Sequence, residues 1–380
     1  MITRVLIIII NWNQYKLTLQ CLENLKSQLH NDQSLKIQIA LIENGSLNES
    51  LDQIESYLKL NYSYFKIDSE VVVTCDLGLE TSPNLNEVQN KILDFNQIST
   101  ADLNANPEQS FDLNPQQIVG QNKNHKFNLN SFQNLDSTDL FLIPSQMNRG
   151  FSGGVNLGSK LAQRIPLDYC LLLNNDAMLP PGVLPKLIEV SRHHNKAIVG
   201  PALFDSESAH RPYFLGKIWP WFLFGSTAIP SSQQGLRRSA YIEGSCMLIP
   251  IELIKKRIQE QGSLMDDQMF LYCEDVDLCL YAAQSGVPCF VVEGVKAIHE
   301  ISKSSGGKGN ITAYYYITRN RILLAQKWLK PPLKFVFYFY YILSRVVLIS
   351  FRLLISGSAI AQAQWQGLGD ALIGKWGPKK

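Results

Sequence analysis

The strongest constraint on the fold is the uninterrupted apolar run Val5–Ile10, which is followed directly by Asn11. Six apolar residues, five of them β-branched, are typical of a strand that is buried on both faces of a parallel sheet. The run is too short for the hydrophobic region of a signal peptide, and a single arginine precedes it. We therefore predict an α/β protein whose first strand lies inside the sheet.

Strand and helix patterns alternate over the first 60 residues. Asn13 can cap a helix, and the apolar residues that follow it recur at helical spacing. A second strand is predicted at Lys36–Ile42 and a second helix at Leu47–Leu60. Such βαβ units predict a parallel sheet with right-handed crossovers and helices on both faces.

The same alternation resumes after residue 139. The further strands are predicted at Leu140–Ile143, Tyr169–Leu173, Ala197–Val199 and Cys289–Val292. Further helices are predicted at Val155–Gln163, after Pro180, and at Pro250–Ile258, Val276–Gln284 and Thr312–Trp328. The glycine-rich run from Gly150 to Gly154 fits neither a P-loop nor a dinucleotide-binding motif, and we expect it to be a loop.

Charge divides the chain unevenly. Residues 331–380 hold six basic residues and one acidic residue, whereas residues 76–140 hold nine acidic residues, three basic residues and 19 Asn or Gln. We expect one domain at 1–330, with 76–140 as an insertion or long excursion, and a basic tail at 331–380. No basic stripe accompanies the candidate site motifs, which argues against nucleic acid. The tail favours an anionic partner such as a membrane surface.

Within the tail, Phe335–Ile355 is a stretch of 21 mostly apolar and aromatic residues, nominally long enough to span a bilayer. Arg345 and Arg352 interrupt it, and charges inside a span are costly. We expect an amphipathic helix in the plane of the membrane surface. The alternatives are a spanning helix and a helix packed on the domain or in a homodimer interface.

Polar residues follow three of the predicted strands. Asn11 and Asn13 follow the first, Glu43 the second, and Asn174-Asn175-Asp176 the strand Tyr169–Leu173. In open α/β sheets, ligands bind in the crevice beyond the carboxyl ends of the strands, so these groups should converge there. Asp176 is suited to hold Mg²⁺ or Mn²⁺ on a phosphate, although a helix cap or turn would also explain it.

Two further candidates lie towards the end of the domain. Three acids, Glu274, Asp275 and Asp277, open a predicted helix, where one acid would be enough for capping. Asp275 points away from the other two and could face the crevice, where a carboxylate can accept a proton from a hydroxyl group. His299 is either a metal ligand or a structural histidine.

The order of these motifs closely resembles glycosyltransferase family 2, and within it the rhamnosyltransferase-like enzymes of bacterial surface polysaccharide synthesis. The resemblance covers residues 3–330 apart from the 76–140 segment. The matching motifs are Asn11-Trp12-Asn13, Glu43-Asn44-Gly45-Ser46, Asn148 to Asn156, Leu172 to Asp176, Gly244 to Leu248, Tyr272 to Cys279, and His299.

The resemblance implies a GT-A fold, Rossmann-like with a mixed, mainly parallel sheet, and an inverting transfer of one sugar from a nucleotide-diphosphate sugar. It implies a metal site at Asp176 and His299 and assigns the catalytic base to Asp275, beside Glu274. The residues it implies for binding the nucleotide sugar are Asn11, Asn13, Glu43, Asn148, Gly150, Asn156, Asn174, Asn175, Gly244 and Ser245.

The sequence departs from the family pattern at two places. Glu43 stands where the family usually has Asp, and the D-x-D metal motif is reduced to Asn174-Asn175-Asp176, with one carboxylate. A nucleotidyltransferase and a non-catalytic nucleotide-sugar-binding protein stay open as alternatives. The expected acceptor is a lipid-linked or glycan hydroxyl.

The seven cysteines form no C-x-x-C pair and lie mostly in apolar runs, so we expect reduced, buried thiols. We accordingly expect the protein at the cytoplasmic face of the membrane.

Overall fold

The computed structural model describes residues 2–67 except 27 and 29–31, together with residues 69, 72, 139–215, 235–300, 310–356 and 359–379. These described residues contain ten strands: β1 Thr3–Asn11, β2 Leu35–Asn44, β3 Tyr64–Lys66, β4 Leu140–Ser145, β5 Tyr169–Leu173, β6 Ala177–Met178, β7 Ile198–Phe204, β8 Leu236–Ser239, β9 Cys246–Pro250 and β10 Cys289–His299. The helices found in the same part of the chain are α1 Tyr15–Lys26, α2 Ser50–Asn61, α3 Gly150–Ala162, α4 Val183–His193, α5 Ile251–Gln261, α6 Glu274–Gln284, α7 Ile311–Trp328, α8 Leu333–Ser356 and α9 Ala359–Leu372. Nearly all of the 76–140 segment lies outside the described residues.

All ten strands belong to one sheet, in the order β3-β4-β2-β1-β5-β9-β7-β10-β6, with β8 paired to β10. The first five strands in this order are parallel, while β9 runs antiparallel to both of its neighbours. The expected mixed, mainly parallel sheet flanked by helices is confirmed. β9 was not predicted as a strand, and its reversed direction brings the residues that precede it to the edge where β1, β2 and β5 end.

The apolar run that opened the sequence is the buried core of β1. The side chains of residues 5–9 are at most 2% exposed, because β2 and β5 flank this strand and helices cover the sheet. The six described cysteines are free, and five of them are buried in the same core or beside it.

The expected loop at Gly150–Gly154 is wrong, because these residues form the first turn of α3. A Cβ atom on Gly154 would lie 2.9 Å from the Ile10 side chain, and one on Gly158 would lie 2.7 Å from Ile8. The glycines therefore let α3 approach β1 closely. Low helix propensity alone suggested a loop, and the close packing of the helix on the sheet outweighs it.

The tail forms two helices where one was predicted. α8 buries Phe337 and Tyr341 against the domain, and the Tyr341 hydroxyl donates to the Thr318 carbonyl oxygen of α7 at 3.2 Å. α9 packs along α7, where a Cβ on Gly367 would collide with the Tyr315 backbone. The domain boundary expected near residue 330 stays a prediction.

Candidate functional site

The ends of β1, β2 and β5 meet in a chain of buried hydrogen bonds. The Asn11 amide donates to Glu43 Oε1 at 3.3 Å and accepts from the Thr18 hydroxyl at 2.7 Å. Asn175 donates to that same hydroxyl at 3.0 Å. Parallel register explains the first contact, since Asn11 and Glu43 are direct partners across β1 and β2. The predicted convergence of these three segments is therefore present in the structure.

Glu43 is held by the turn that follows β2. The Ser46 hydroxyl donates to Glu43 Oε1, and the Ser46 backbone N–H donates to the same carboxylate at 3.2 Å. Asn13 lies at the rim of this turn with a φ of 56°, and its side chain accepts from the Leu47 N–H at 2.8 Å. The longer side chain of Glu43 is thus held by hydrogen bonds to Ser46, which belongs to the Glu43–Ser46 motif but was not named among the binding residues.

Asp176 and His299 come together because β6 and β10 are antiparallel neighbours, with His299 opposite Ala177. His299 Nε2 lies 3.2 Å from Asp176 Oδ1 and 3.3 Å from the Asn174 amide nitrogen. Asp176 is buried, and within the described residues neither carboxylate oxygen has a hydrogen bond of good geometry. Buried carboxylate oxygens without donors are costly unless a cation compensates them.

Tyr213 and Glu243 complete this cluster, and neither was predicted. The Tyr213 hydroxyl donates to Glu243 Oε1 at 2.8 Å and lies 2.6 Å from His299 Nδ1. When the single hydrogen of that hydroxyl is donated to Glu243, the hydroxyl accepts from Nδ1–H, and Nε2 of a neutral His299 then carries the lone pair that a metal ion would use. An acid directly before the Gly244-Ser245 motif was the one signal that could have pointed to Glu243.

The cluster favours positive charge. Burial lowers the pKa of His299, but the carboxylates of Asp176 and Glu243 outweigh burial and raise the pKa to about 9. A site that stabilises an imidazolium can stabilise a metal cation in its place. The carboxylate oxygens and imidazole nitrogen suit Mn²⁺, and Mg²⁺ through the carboxylate, with phosphates and water as further ligands. No three His, Cys, Asp or Glu side chains are arranged to hold a metal ion together in the part of the chain that is described, so Asp176 and His299 would be the two protein ligands.

The three acids at the start of α6 have separate environments. Asp277 is fully buried in an ion pair with Arg257 and also accepts from the Trp328 indole N–H at 2.8 Å. Glu274 is buried, and its Oε2 has no hydrogen-bond partner among the described residues. Asp275 is partly exposed, and its Oδ2 accepts from the Gly244 N–H at 3.2 Å.

Asp275 therefore faces the segment that precedes β9, while the expectation that it faces the crevice stays a prediction. Burial, followed by the charge of Glu243, raises the pKa of Asp275 to about 6, while the N–H groups of Val276 and Gly244 oppose this shift. Burial and the charge of Asp275 raise the pKa of Glu274 as well. A carboxylate with a pKa near 6 is suited to accept a proton at neutral pH. The role of Glu274 stays a prediction.

Gly244 and Ser245 connect the two parts of the site. The Gly244 N–H binds Asp275, and the Ser245 hydroxyl donates to Glu243 Oε1 at 3.2 Å. Glu243 Oε1 in turn lies 3.4 Å from His299 Nδ1. One three-residue segment, Glu243–Ser245, thus contacts both the candidate base and the histidine of the candidate metal pair.

Asn148 and Gly150 are held next to the β2 end by Asn44. The Asn44 amide donates to Asn148 Oδ1 at 3.2 Å and to the Gly150 carbonyl oxygen at 3.0 Å. Asn156 is not part of this cluster. Its amide donates to Met265 O at 3.0 Å and Asp267 Oδ1 at 2.7 Å, so it anchors the chain that leads to α6. Nucleotide-sugar binding by these residues stays a prediction.

Comparison with known families places a domain in the middle of the chain. Residues 122–256 match the family described as Glycosyl transferase family 2. This range contains the predicted Asn174–Asp176 and Gly244-Ser245 motifs, whereas Asn11, Asp275 and His299 lie outside it. Residues 122–256 therefore match a domain of this family, as the motif order indicated.

Two curated relatives are glycosyltransferases by name. The low-salt glycan biosynthesis hexosyltransferase Agl10 of Haloferax volcanii is 25% identical over 190 residues, which cover 49% of this chain and 60% of the relative. The dTDP-rhamnosyl transferase RfbF of Shigella flexneri is 22% identical over 199 residues, which cover 50% of this chain and 65% of the relative. The chain thus matches less than two thirds of the length of either relative.

Solved structures share the fold at low sequence identity. The crystal structure of S. aureus TarS 1–349 in complex with UDP-GlcNAc has a TM-score of 0.50 and 10% identity, and the match covers 97% of this chain and 81% of that one. The crystal structure of S. aureus TarS matches with the same TM-score over 98% of this chain and 49% of that one. These matches confirm the expected GT-A type of fold.

Proposed function

Given that residues 122–256 carry a glycosyl transferase family 2 domain, we propose that the chain is an inverting glycosyltransferase that moves one sugar from a nucleotide diphosphate to a hydroxyl group. The observation that carries this proposal is the contact of Glu243–Ser245 with both Asp275 and His299. A proton acceptor and a cation site for a diphosphate are the two functions that such a transfer needs.

In this proposal, Asp275 accepts the proton of the acceptor hydroxyl. The hydroxyl oxygen forms a bond to the anomeric carbon while the bond from that carbon to the diphosphate oxygen breaks. The electron pair of the broken bond leaves with the nucleoside diphosphate. One displacement, with the acceptor opposite the leaving group, inverts the configuration at the anomeric carbon. The Gly244 N–H holds the Asp275 carboxylate in place for this step.

Asp176 and His299 would hold Mg²⁺ or Mn²⁺. When bound, the cation neutralises the negative charge that develops on the leaving diphosphate. Tyr213 and Glu243 fix the orientation of the His299 ring through Nδ1 and leave Nε2 facing Asp176. With only one carboxylate in the pair, we expect modest metal affinity in the absence of the nucleotide sugar.

We assign the nucleoside to the crevice formed by the Asn11, Asn13 and Glu43 segments, and the sugar or acceptor to Gly244 and Ser245. Because one relative is named a dTDP-rhamnosyl transferase, dTDP-rhamnose is a donor to test. The acceptor is proposed to be a lipid-linked or glycan hydroxyl, reached from the cytoplasmic face of the membrane.

The first test is donor binding measured by thermal stabilisation, with a panel of nucleotide sugars in the presence and absence of Mn²⁺. A donor at 100 times its Kd stabilises the native state by about 2.7 kcal/mol. We expect this stabilisation to require Mn²⁺ in the wild type and to be lost in Asp176→Ala and His299→Ala. Asp52→Ala, which removes an exposed carboxylate on α2, is the matched control.

Mn²⁺-dependent donor binding that persists in Asp176→Ala would remove Asp176 from the metal site. Donor binding without transfer to any acceptor would favour the non-catalytic alternative.

The membrane part of the proposal depends on the outer face of α8. This helix is long and apolar enough to cross a membrane, which by itself is weak evidence, and only 17% of the apolar window is buried. Arg345 lies over the ring of the buried Tyr341 on the same helix at 5.4 Å, and the exposed Arg352 donates to Gln364 of α9 at 2.7 Å. The remaining outer face is apolar, which favours a helix lying in the membrane surface.

The second test is binding to vesicles that contain anionic lipid. Phe339 and Leu354 are 75% and 86% exposed on α8, and burial of each side chain in lipid should contribute at least about 1.5 kcal/mol. The double variant Phe339→Asn, Leu354→Asn should therefore bind about 100-fold more weakly in co-sedimentation. Leu60→Asn, at a site 75% exposed on α2, should have no effect. Wild-type protein that does not bind vesicles would contradict the membrane assignment.

A further inference from the structure

The chain that leads into α6, residues 268–273, has an unfavourable backbone. Phe270, Tyr272 and Cys273 have φ values of 60°, 67° and 75°, in the left-handed region that side chains rarely occupy. Such a conformation persists only where surrounding groups impose it. The residue that follows directly is Glu274, and Asp275 comes next. The position of the candidate base thus depends on whatever holds this segment.

Asn320, which is fully buried on α7, binds the carbonyl groups of the segment. Its amide nitrogen lies 2.9 Å from Met269 O, 2.9 Å from Leu271 O and 2.8 Å from Tyr272 O. Three carbonyl oxygens of one irregular segment therefore share the two hydrogens of a single side chain.

Arg319, the neighbour of Asn320, is also fully buried. It donates from Nε to Asn320 Oδ1 at 2.9 Å, which orients the Asn320 amide, and from Nη2 to Gln268 O at 3.0 Å. Its Nη1 donates to Gly377 O at 2.6 Å, and the Gly377 N–H donates to Gln268 O at 2.8 Å. The end of the chain is thus tied to the same segment.

Residues 268–273 also contact the first turn of α3. The Ser152 N–H donates to Phe270 O at 3.2 Å, and a Cβ atom on Gly150 would collide with Phe270. The body of α6 is fixed separately by the ion pair of Asp277 with Arg257. Loss of Asn320 should consequently disturb the first turn of α6 without releasing the helix.

We propose that Asn320 is a positioning residue, oriented by Arg319 and assisted by Gly377. It holds residues 268–273 in their backbone conformation and thereby fixes the position of Asp275. The catalytic step then depends on side chains that do not touch the substrate. This proposal builds on the glycosyltransferase function proposed above.

The test compares full-length wild type with Asn320→Ala by steady-state kinetics and hydrogen exchange. We expect kcat at least tenfold lower, a donor KM within twofold of wild type, and at least tenfold faster amide exchange in residues 269–276, with exchange in β1 and β5 unchanged. Thr312→Ala, at an exposed position on α7, should match the wild type. If Asn320→Ala does not fold, removal of residues 377–380 takes away the contacts of Gly377 with Arg319 and Gln268, and amide exchange in residues 269–276 should again become faster.

Unchanged exchange in residues 269–276 would overturn the proposal, whatever the activity. A uniform rise in exchange across the sheet, with kcat and KM altered together, would also overturn it, because Asn320 would then support the fold in general. A wild type that transfers no sugar contradicts the proposed function instead, and the exchange measurement still decides whether Asn320 orders the segment.

Discussion

Replacing Asp275 by asparagine should lower kcat by about 10²- to 10⁴-fold, the usual contribution of a general base. Asparagine keeps the shape of the side chain and an oxygen for the Gly244 N–H, so donor binding should be retained. Turnover and donor stabilisation, measured side by side, separate these effects. Near-normal turnover would exclude Asp275 as the base.

The pH dependence gives an independent check on the same residue. Asp275 must be ionised to accept a proton, and its pKa is about 6, so wild-type kcat should fall tenfold per pH unit below 6 and level off above it. The groups around it are Glu243, Glu274 and the N–H groups of Gly244 and Val276. The residual activity of Asp275→Asn should lack this acid limb.

Stability provides the control for this variant. The pKa of Asp275 is higher in the folded state than the ordinary value of 3.8, so its ionised form disfavours folding and this penalty is present above pH 6. Asp275→Asn should therefore unfold at a temperature no lower than the wild type at pH 7.5. A large loss of stability would mean that the activity loss has another cause.

Replacing Asp277 by alanine should have the largest effect on stability, at a cost of about 3–5 kcal/mol in the free energy of unfolding. The change leaves the Arg257 guanidinium, only 1% exposed, without its buried partner, and removes the acceptor of the Trp328 N–H. Denaturant unfolding at pH 7 measures the loss. Glu189→Ala, which breaks the exposed Lys186–Glu189 pair, should leave the midpoint unchanged.

A double variant distinguishes an unpaired charge from lost packing. Arg257→Met combined with Asp277→Leu removes both charges and keeps apolar volume, so it should recover much of the stability lost by Asp277→Ala. If Asp277→Ala costs less than about 1 kcal/mol, the pair behaves like a surface ion pair and is not desolvated as the structure indicates.

The elements that depend on local pattern could be predicted from the sequence. β1, β5 and the helix that carries the three acids follow from apolar runs and from acids at a helix start. The convergence of Asn11, Glu43 and Asn175 follows from parallel topology, because strand ends meet at one edge. Asp176 and His299 were found separately, and only the antiparallel pairing of β6 with β10 shows that they are in contact.

Other parts of the site could not be predicted because they depend on contacts between distant residues. Tyr213 and Glu243 meet at His299 although 86 and 56 positions separate them from it. The place of Glu243 before Gly244-Ser245 suggests a residue of the site, but the sequence near it does not indicate the contact with His299. Asp277 resembles its neighbouring acids in sequence, and only burial against Arg257 makes it structural. The identity of a residue shows which chemistry its side chain can perform. Where several residues of one type are present, the tertiary fold decides which of them lies in the site.

The close approach of α3 to β1 has a consequence for how the domain tolerates substitution. Gly154 and Gly158 determine the thickness of the layer between helix and sheet, since even a methyl group would lie within 3 Å of Ile10 or Ile8. The first turn of α3 also abuts Phe270, at the start of the path to Asp275. An alanine at Gly154 or Gly158 should therefore push α3 away from the sheet, and through Phe270 the displacement should also reach Asp275.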